Sequence, residues 1–135
     1  MRTCGGFSMV EIMVVLIIVA ILAAISAPLM NSYNRRAMSA EGKALCASVA
    51  SAETGYAAEH DTFVAVPLCS SGTAIINVDA RTNQYFTSYQ VGPGVTGSIA
   101  DSLMVTANGS GDAAVVTVCF YQVKNGTSAV VVSGL

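Results

Sequence analysis

The sequence predicts an α+β protein in which one long N-terminal α-helix, membrane-spanning in its first half, packs on a small antiparallel β-sheet head. Three observations predict it. Every residue from Ile12 to Ala27 is apolar or small. The stretch that follows carries an apolar stripe at helical spacing. The rest of the chain breaks into short β-patterned runs set off by turn residues. The expected boundaries are a leader at 1–6, a membrane or filament-core half of the helix at 7–30, an amphipathic half at 31–61, and a β-rich globular head at 62–135.

The first segment is long enough to cross a bilayer. As an α-helix, Phe7 to Met30 would extend roughly 36 Å, against a hydrocarbon core of about 30 Å. Glu11 breaks the pattern. A carboxylate in a membrane span is costly, and such groups are usually functional and paired. No basic residue follows it within one helical turn. An α-amino group freed by cleavage just upstream, at Phe7, would supply the missing charge. A conventional secretory signal is the alternative, with Arg2 as its basic region, Ile12 to Ile25 as its apolar region and Ala24-Ile25-Ser26 as its cleavage site. Glu11 inside the apolar stretch and Pro28 just beyond the cut argue against it. An ordinary anchor helix on a non-assembling protein is a further alternative.

Gly5-Gly6-Phe7-Ser8-Met9-Val10-Glu11 resembles the class III signal of the type IV pilin family. That signal has a short leader ending in glycine, then phenylalanine, with a glutamate four residues later. Gly6, Phe7 and Glu11 match residue for residue, and Pro28 matches a proline that family members carry in the same helix. The motif covers roughly the first quarter of the chain, and the remainder matches in layout only. The resemblance implies that a prepilin peptidase cuts between Gly6 and Phe7 and N-methylates Phe7. It further implies that Glu11 pairs with the Phe7 amine of a neighbouring subunit in a homo-oligomeric helical filament. Opposite charges attract strongly in a low-dielectric bundle, and a lone buried carboxylate is costly. Pro28 lacks an amide donor and would kink or locally melt the helix. Membrane lipid before assembly and the inner-membrane assembly machinery are the other implied partners. The resemblance places the precursor in the inner membrane and the product in an extracellular filament. The positive-inside rule does not orient the chain, because Arg35 and Arg36 beyond the span outnumber Arg2 before it.

Beyond Asn31, Met38, Leu45, Val49, Ala52 and Tyr56 form a one-face stripe. Gly42 and Gly55 weaken that helix without ending it, and it is expected to stop near His60-Asp61. Phe7, Tyr33, Tyr56 and Phe63 do not form a conducting track within one chain. Phe7 and Tyr33 alone would lie about 39 Å apart along a helix.

Five β-patterned runs follow: Ala74 to Val78, Tyr85 to Val91, Leu103 to Ala107, Ala114 to Val123, and Ala129 to Val132. Turn signals separate them at 81–83, 92–94, 108–112 and 124–126. Consecutive strands are expected to be neighbours.

The four cysteines are Cys4, Cys46, Cys69 and Cys119. With Cys4 lost in the leader, three remain, which leaves either one disulfide and one thiol or three buried thiols. A Cys69–Cys119 bridge would staple the helix–sheet connection to the longest strand, worth about 4 kcal/mol in chain entropy. Cys46 competes for either partner. Many pilins use a cysteine pair to delimit a C-terminal loop, and here no cysteine follows Cys119, so that pattern is only partly met.

The remaining signals exclude more than they assign. Net charge is −2 with no basic block, so direct nucleic-acid binding is not expected. No CxxC pair occurs, and the single histidine, His60, has no ligand-spaced partner, so no metal site or cofactor is expected. Asp79, Asp101 and Asp112 lack calcium-loop spacing and read as solvated acids. The sequons at Asn108 and Asn125 read as turns. No catalytic triad, P-loop or dinucleotide fingerprint is present, and an enzyme is not expected. Two other functions share this N-terminus or part of it: a pseudopilin of a type II secretion system, and an anchored or secreted binding domain that never assembles. Adhesion, motility, DNA uptake and secretion are not distinguished.

Overall fold

The computed structural model describes residues 6–124 and 126–135. Residues 1–5 of the expected leader, with Arg2, Cys4 and Gly5, and Asn125 of an expected turn lie outside the described residues. One α-helix, α1 (Met9–His60), is followed by strands β1 (Val66–Cys69), β2 (Tyr89–Pro93), β3 (Ser102–Asn108), β4 (Thr117–Val123) and β5 (Ser128–Ser133). The chain divides within α1 into two units, Met1–Asn34 and Arg35–Leu135.

The first unit is apolar around its whole circumference, and its side chains from Phe7 to Asn31 are exposed. No polar face marks a side for water, as befits a helix meant for lipid or for other helices. It belongs to the one helix among the described residues long and apolar enough to cross a membrane. Helical geometry continues through Pro28. The expected local melting is therefore not seen, although Pro28 still deprives the preceding turn of one hydrogen bond. The helix starts at Met9 rather than Phe7.

In the second unit, the C-terminal part of α1 packs on a five-stranded antiparallel sheet of order β1-β2-β3-β4-β5. The sheet is an uninterrupted meander: short connections join β2 through β5, and the longer link 70–88 also joins neighbouring strands. Its helix-facing side is set by register. Val66 pairs with Val91, Tyr89 with Ala107, Val105 with Phe120, and Ala107 with Val118. These side chains join Leu45, Cys46, Val49, Phe63, Ile76 and Phe86 in one core.

The buried line of α1 differs from the expected stripe. It is Ser39, Gly42, Leu45, Cys46, Val49, Ala50 and Glu53. Met38 and Ala52 are half-buried, and Tyr56 stacks on His60 at 4.0 Å between ring centroids. Gly42 is where the sheet comes closest. A Cβ there would lie 2.8 Å from both Phe86 Cε1 and Val118 Cγ2. Gly42 is thus a packing requirement rather than a helix flaw.

Three strand expectations are corrected. Val66–Cys69 is a strand, so Cys69 lies in the sheet and not in the connection to it. Ala74 to Val78 is not a strand: Thr73 N–H donates to the Ile76 carbonyl (2.7 Å), closing a turn, and only the bridge Ser71–Asp79 remains. Tyr85 to Tyr89 is also mostly irregular, with β2 beginning at Tyr89.

The helix ends as expected. Asp61 follows it in the left-handed region, at φ 61°, the position that favours glycine. Lys124 Nζ reaches its carboxylate at 2.7 Å and its carbonyl at 2.6 Å. Asp61→Gly relieves the backbone strain, about 1 kcal/mol, and loses only an exposed ion pair worth less than that. The variant is expected to be more stable by about 0.5 kcal/mol, read as a small rise in the melting temperature of the full chain in detergent.

Candidate functional site

The residues singled out at the N-terminus lie together in sequence and are open in space. Gly6, Phe7 and Ser8 precede α1, and Phe7 is 79% exposed. A Cβ on Gly6 would meet nothing within 4 Å. The chain's own packing therefore does not demand a glycine there, and any such demand comes from whatever grips the peptide. Ile12 N–H donates to the Ser8 carbonyl at 3.2 Å, so Ser8 occupies the N-cap position and Glu11 falls three residues later. Ser8-Met9-Val10-Glu11 thus has capping-box spacing, a signal legible in the sequence itself. No hydrogen bond or salt bridge among the described residues engages Glu11, and its side chain is exposed. A negative charge in the first turn suits the helix dipole, yet the carboxylate stays available to a partner from another chain.

The Cys69–Cys119 bridge is corrected. Cys46, Cys69 and Cys119 are all free thiols. Cys69 is on β1 and Cys119 on β4, with β2 and β3 between them. Three strand spacings put them about 14 Å apart, far beyond disulfide reach. Cys46 is fully buried, and its Sγ donates to the Val118 carbonyl at 3.7 Å. Burial first, and the nearby Cys119 second, push its thiol up to about 12, so it is an inert core thiol.

The scattered acids have local roles. Asp79 is held down at about 2 by its hydrogen bonds from Arg81, side chain first and backbone second. No cluster of three or more metal-ligating side chains occurs among the described residues. A shallow depression of about 530 Å³ lies on the sheet face away from α1, lined by residues including Pro67, Gln90, Met104 and Thr106. None of its lining residues is titratable.

Two carboxylates that sequence reasoning passed over organise the head. Glu41 Oε1 accepts from the amides of Tyr85 (2.7 Å) and Phe86 (2.9 Å), and Oε2 from that of Gln84 (3.2 Å). Partial burial raises the Glu41 carboxyl, but the three amide donors together outweigh it and leave the value lowered. Glu41→Ala strands those amides. The expected loss is about 2–3 kcal/mol at neutral pH. Because the folded-state value is lowered, this contribution is present above the ordinary glutamate range and vanishes as pH falls through the lowered value. Denaturant midpoints of native and variant chains should therefore differ at neutral pH and converge as pH falls below the ordinary glutamate range. A gap that stays constant with pH would show that the carboxylate charge plays no part.

Residues 1–27 match the family model described as the prokaryotic N-terminal methylation motif. That match includes Gly6, Phe7 and Glu11, and it is consistent with the type IV pilin and pseudopilin family. No curated protein and no solved structure matches the chain.

Proposed function

We propose that this chain is the structural subunit of a type IV pilus. It is made as a membrane-anchored precursor, is cut between Gly6 and Phe7, is N-methylated on Phe7, and polymerises through the first half of α1. The observation that carries this is the coincidence of the methylation motif with a wholly exposed apolar helix. Such a surface is stable in lipid and, once withdrawn from lipid, only against other helices. The open surroundings of Gly6 and Phe7 suit a peptide bond presented to a prepilin peptidase. Assembly would set each Glu11 beside the new Phe7 amine of a neighbour, giving the uncompensated carboxylate its charge partner. Inner-membrane assembly machinery would lift subunits from the bilayer into the filament, and the heads, with no cofactor, would form its outer surface.

The second reading is a pseudopilin of a type II secretion system. Cys46, Cys69 and Cys119 are free thiols, so no disulfide among them speaks for the pilus over this reading. Its N-terminal chemistry would be the same.

Protein sheared from cell surfaces and analysed by intact mass and N-terminal peptide mapping tests both. Long filaments built of a chain beginning with N-methylated Phe7 support the pilus. The same modified chain confined to the cell envelope supports the pseudopilin. A soluble, unassembled chain beginning near Ala27 overturns both.

A further inference from the structure

The longest irregular stretch of the head, 70–88, and the short link 61–65 together carry the chain from α1 through edge strand β1 to β2. Each end of this connection is fastened to α1 by one carboxylate. At the near end, the Val64 amide donates to Glu53 Oε2 at 2.9 Å. At the far end, the amides of Gln84, Tyr85 and Phe86 converge on Glu41. The two acids lie about 18 Å apart along the helix.

Their surroundings are opposite. Glu53 is fully buried, and its Oε1 has no hydrogen-bond partner. A bare carboxylate there would be poorly solvated, whereas the neutral acid removes the charge and keeps Oε2 for Val64. The titratable groups facing it from the sheet are Tyr89 of β2, whose hydroxyl donates to the Val78 carbonyl at 3.0 Å, and Cys69 of β1 beside Tyr89. Neither supplies a positive charge. Lys124, which follows β4, is engaged by Asp61. Glu41 instead is only partly buried and has three donors suited to a charged acceptor. Across its groove, Asp79 is neutralised by Arg81, and Tyr85 contributes its amide.

We propose that Glu53 and Glu41 are a pair of proton-controlled clasps, Glu53 holding the near end of the connection as the neutral acid and Glu41 holding the far end as the carboxylate. Acidification releases the far end and tightens the near one; alkalinisation does the reverse. The signs follow from the shifts. Burial raises Glu53, only partly offset by the Val64 amide, so its stable form is lost as pH rises through the raised value. Glu41 is lowered, so its stable form is lost as pH falls through the lowered one. A filament head with these clasps would change the exposure of one end of its connection with the pH of its surroundings, leaving the sheet intact.

Amide exchange of the full chain in detergent micelles, corrected for the intrinsic rate at each pH, tests this, with Val105 of β3 as reference. Val64 should lose about tenfold of its protection between about pH 5 and about pH 9. Tyr85 and Phe86 should lose about as much between about pH 5 and about pH 3. Glu53→Gln keeps an acceptor for Val64 and should flatten its profile while leaving the far end unchanged. Glu41→Gln should weaken protection at Tyr85 and Phe86 and make it independent of pH. A flat Val64 profile in the native chain, or an unchanged slope in Glu53→Gln, overturns the proposal, as does loss at both ends in the same direction. The carbon-13 side-chain shift of Glu53 in the native chain is the second measurement. Titration above the ordinary glutamate range supports the clasp, and titration within it overturns the proposal even where a variant does not fold.

Discussion

Under the proposed function, replacing Glu11 with alanine is expected to abolish filaments while the protein stays membrane-bound. The carboxylate is exposed in the isolated chain and is not bonded to any described residue, so its loss costs the monomer almost nothing. In a helix bundle the balance reverses. Removing one partner of a buried ion pair leaves the other charge stranded, at about 3–5 kcal/mol. Repeated at every subunit, that is a factor of roughly a hundred or more in each addition step. Glu11→Gln keeps shape and a hydrogen-bonding oxygen but no charge, and should also fail. The capping-box position of Glu11 offers a rival role worth at most about 1 kcal/mol, which Gln would largely preserve. The two substitutions therefore separate the roles. Failure of both, with normal precursor levels and normal cleavage, assigns Glu11 to subunit pairing. Filaments from Glu11→Gln but not from Glu11→Ala assign it to the helix terminus. Normal filaments from both would sink its assembly role altogether.

The N-terminal segment was legible because outside agents write its constraints one residue at a time. Gly6 and Phe7 fall in the matched methylation motif, the run from Ile12 to Ala27 suits a bilayer, and a single carboxylate stands out in such a run. The end of α1 was legible for a local reason, the polar pair His60-Asp61 before Phe63. The head was less legible. Strand β1 carries Pro67 at a sheet edge, where a missing ladder donor is tolerated. The run Ala74 to Val78 has strand-like letters, but the backbone closes on itself at Thr73 and Ile76. Of the expected stripe on α1, Leu45 and Val49 lie on the buried line. The rest of that line, Ser39, Gly42, Cys46, Ala50 and Glu53, is small or polar and carries no large apolar signal. Glu41 and Glu53 bind backbone amides 43 to 45 and 11 residues away, and no local pattern records such partners. The expected disulfide failed for a topological reason: sequence gives the cysteines but not the number of strands between them.

The close approach at Gly42 carries the largest expected effect on the head itself. In an exposed helix interior, glycine to alanine stabilises by roughly 0.5–1 kcal/mol. Here the added methyl would sit 2.8 Å from Phe86 Cε1 and Val118 Cγ2, inside any real carbon contact. Phe86 and Val118 are both fully buried, and Phe86 is further held by its amide on Glu41 and its carbonyl on Asn83. Neither can step aside freely. Overpacking of a dense core costs about 1–3 kcal/mol, so Gly42→Ala should destabilise despite the better propensity, by about 1 kcal/mol. Gly42→Leu has no rotamer that clears both neighbours and should cost more than about 3 kcal/mol, enough to unfold a marginal head. The diagnostic experiment is a double-mutant cycle with Phe86→Leu, which withdraws the ring from Gly42 at its own cost in buried area. If the sheet is seated on Gly42, Gly42→Ala should be markedly less harmful, or even favourable, in the Phe86→Leu background. Strictly additive losses would mean that α1 can move away from the sheet at this point, and that glycine is there only by tolerance.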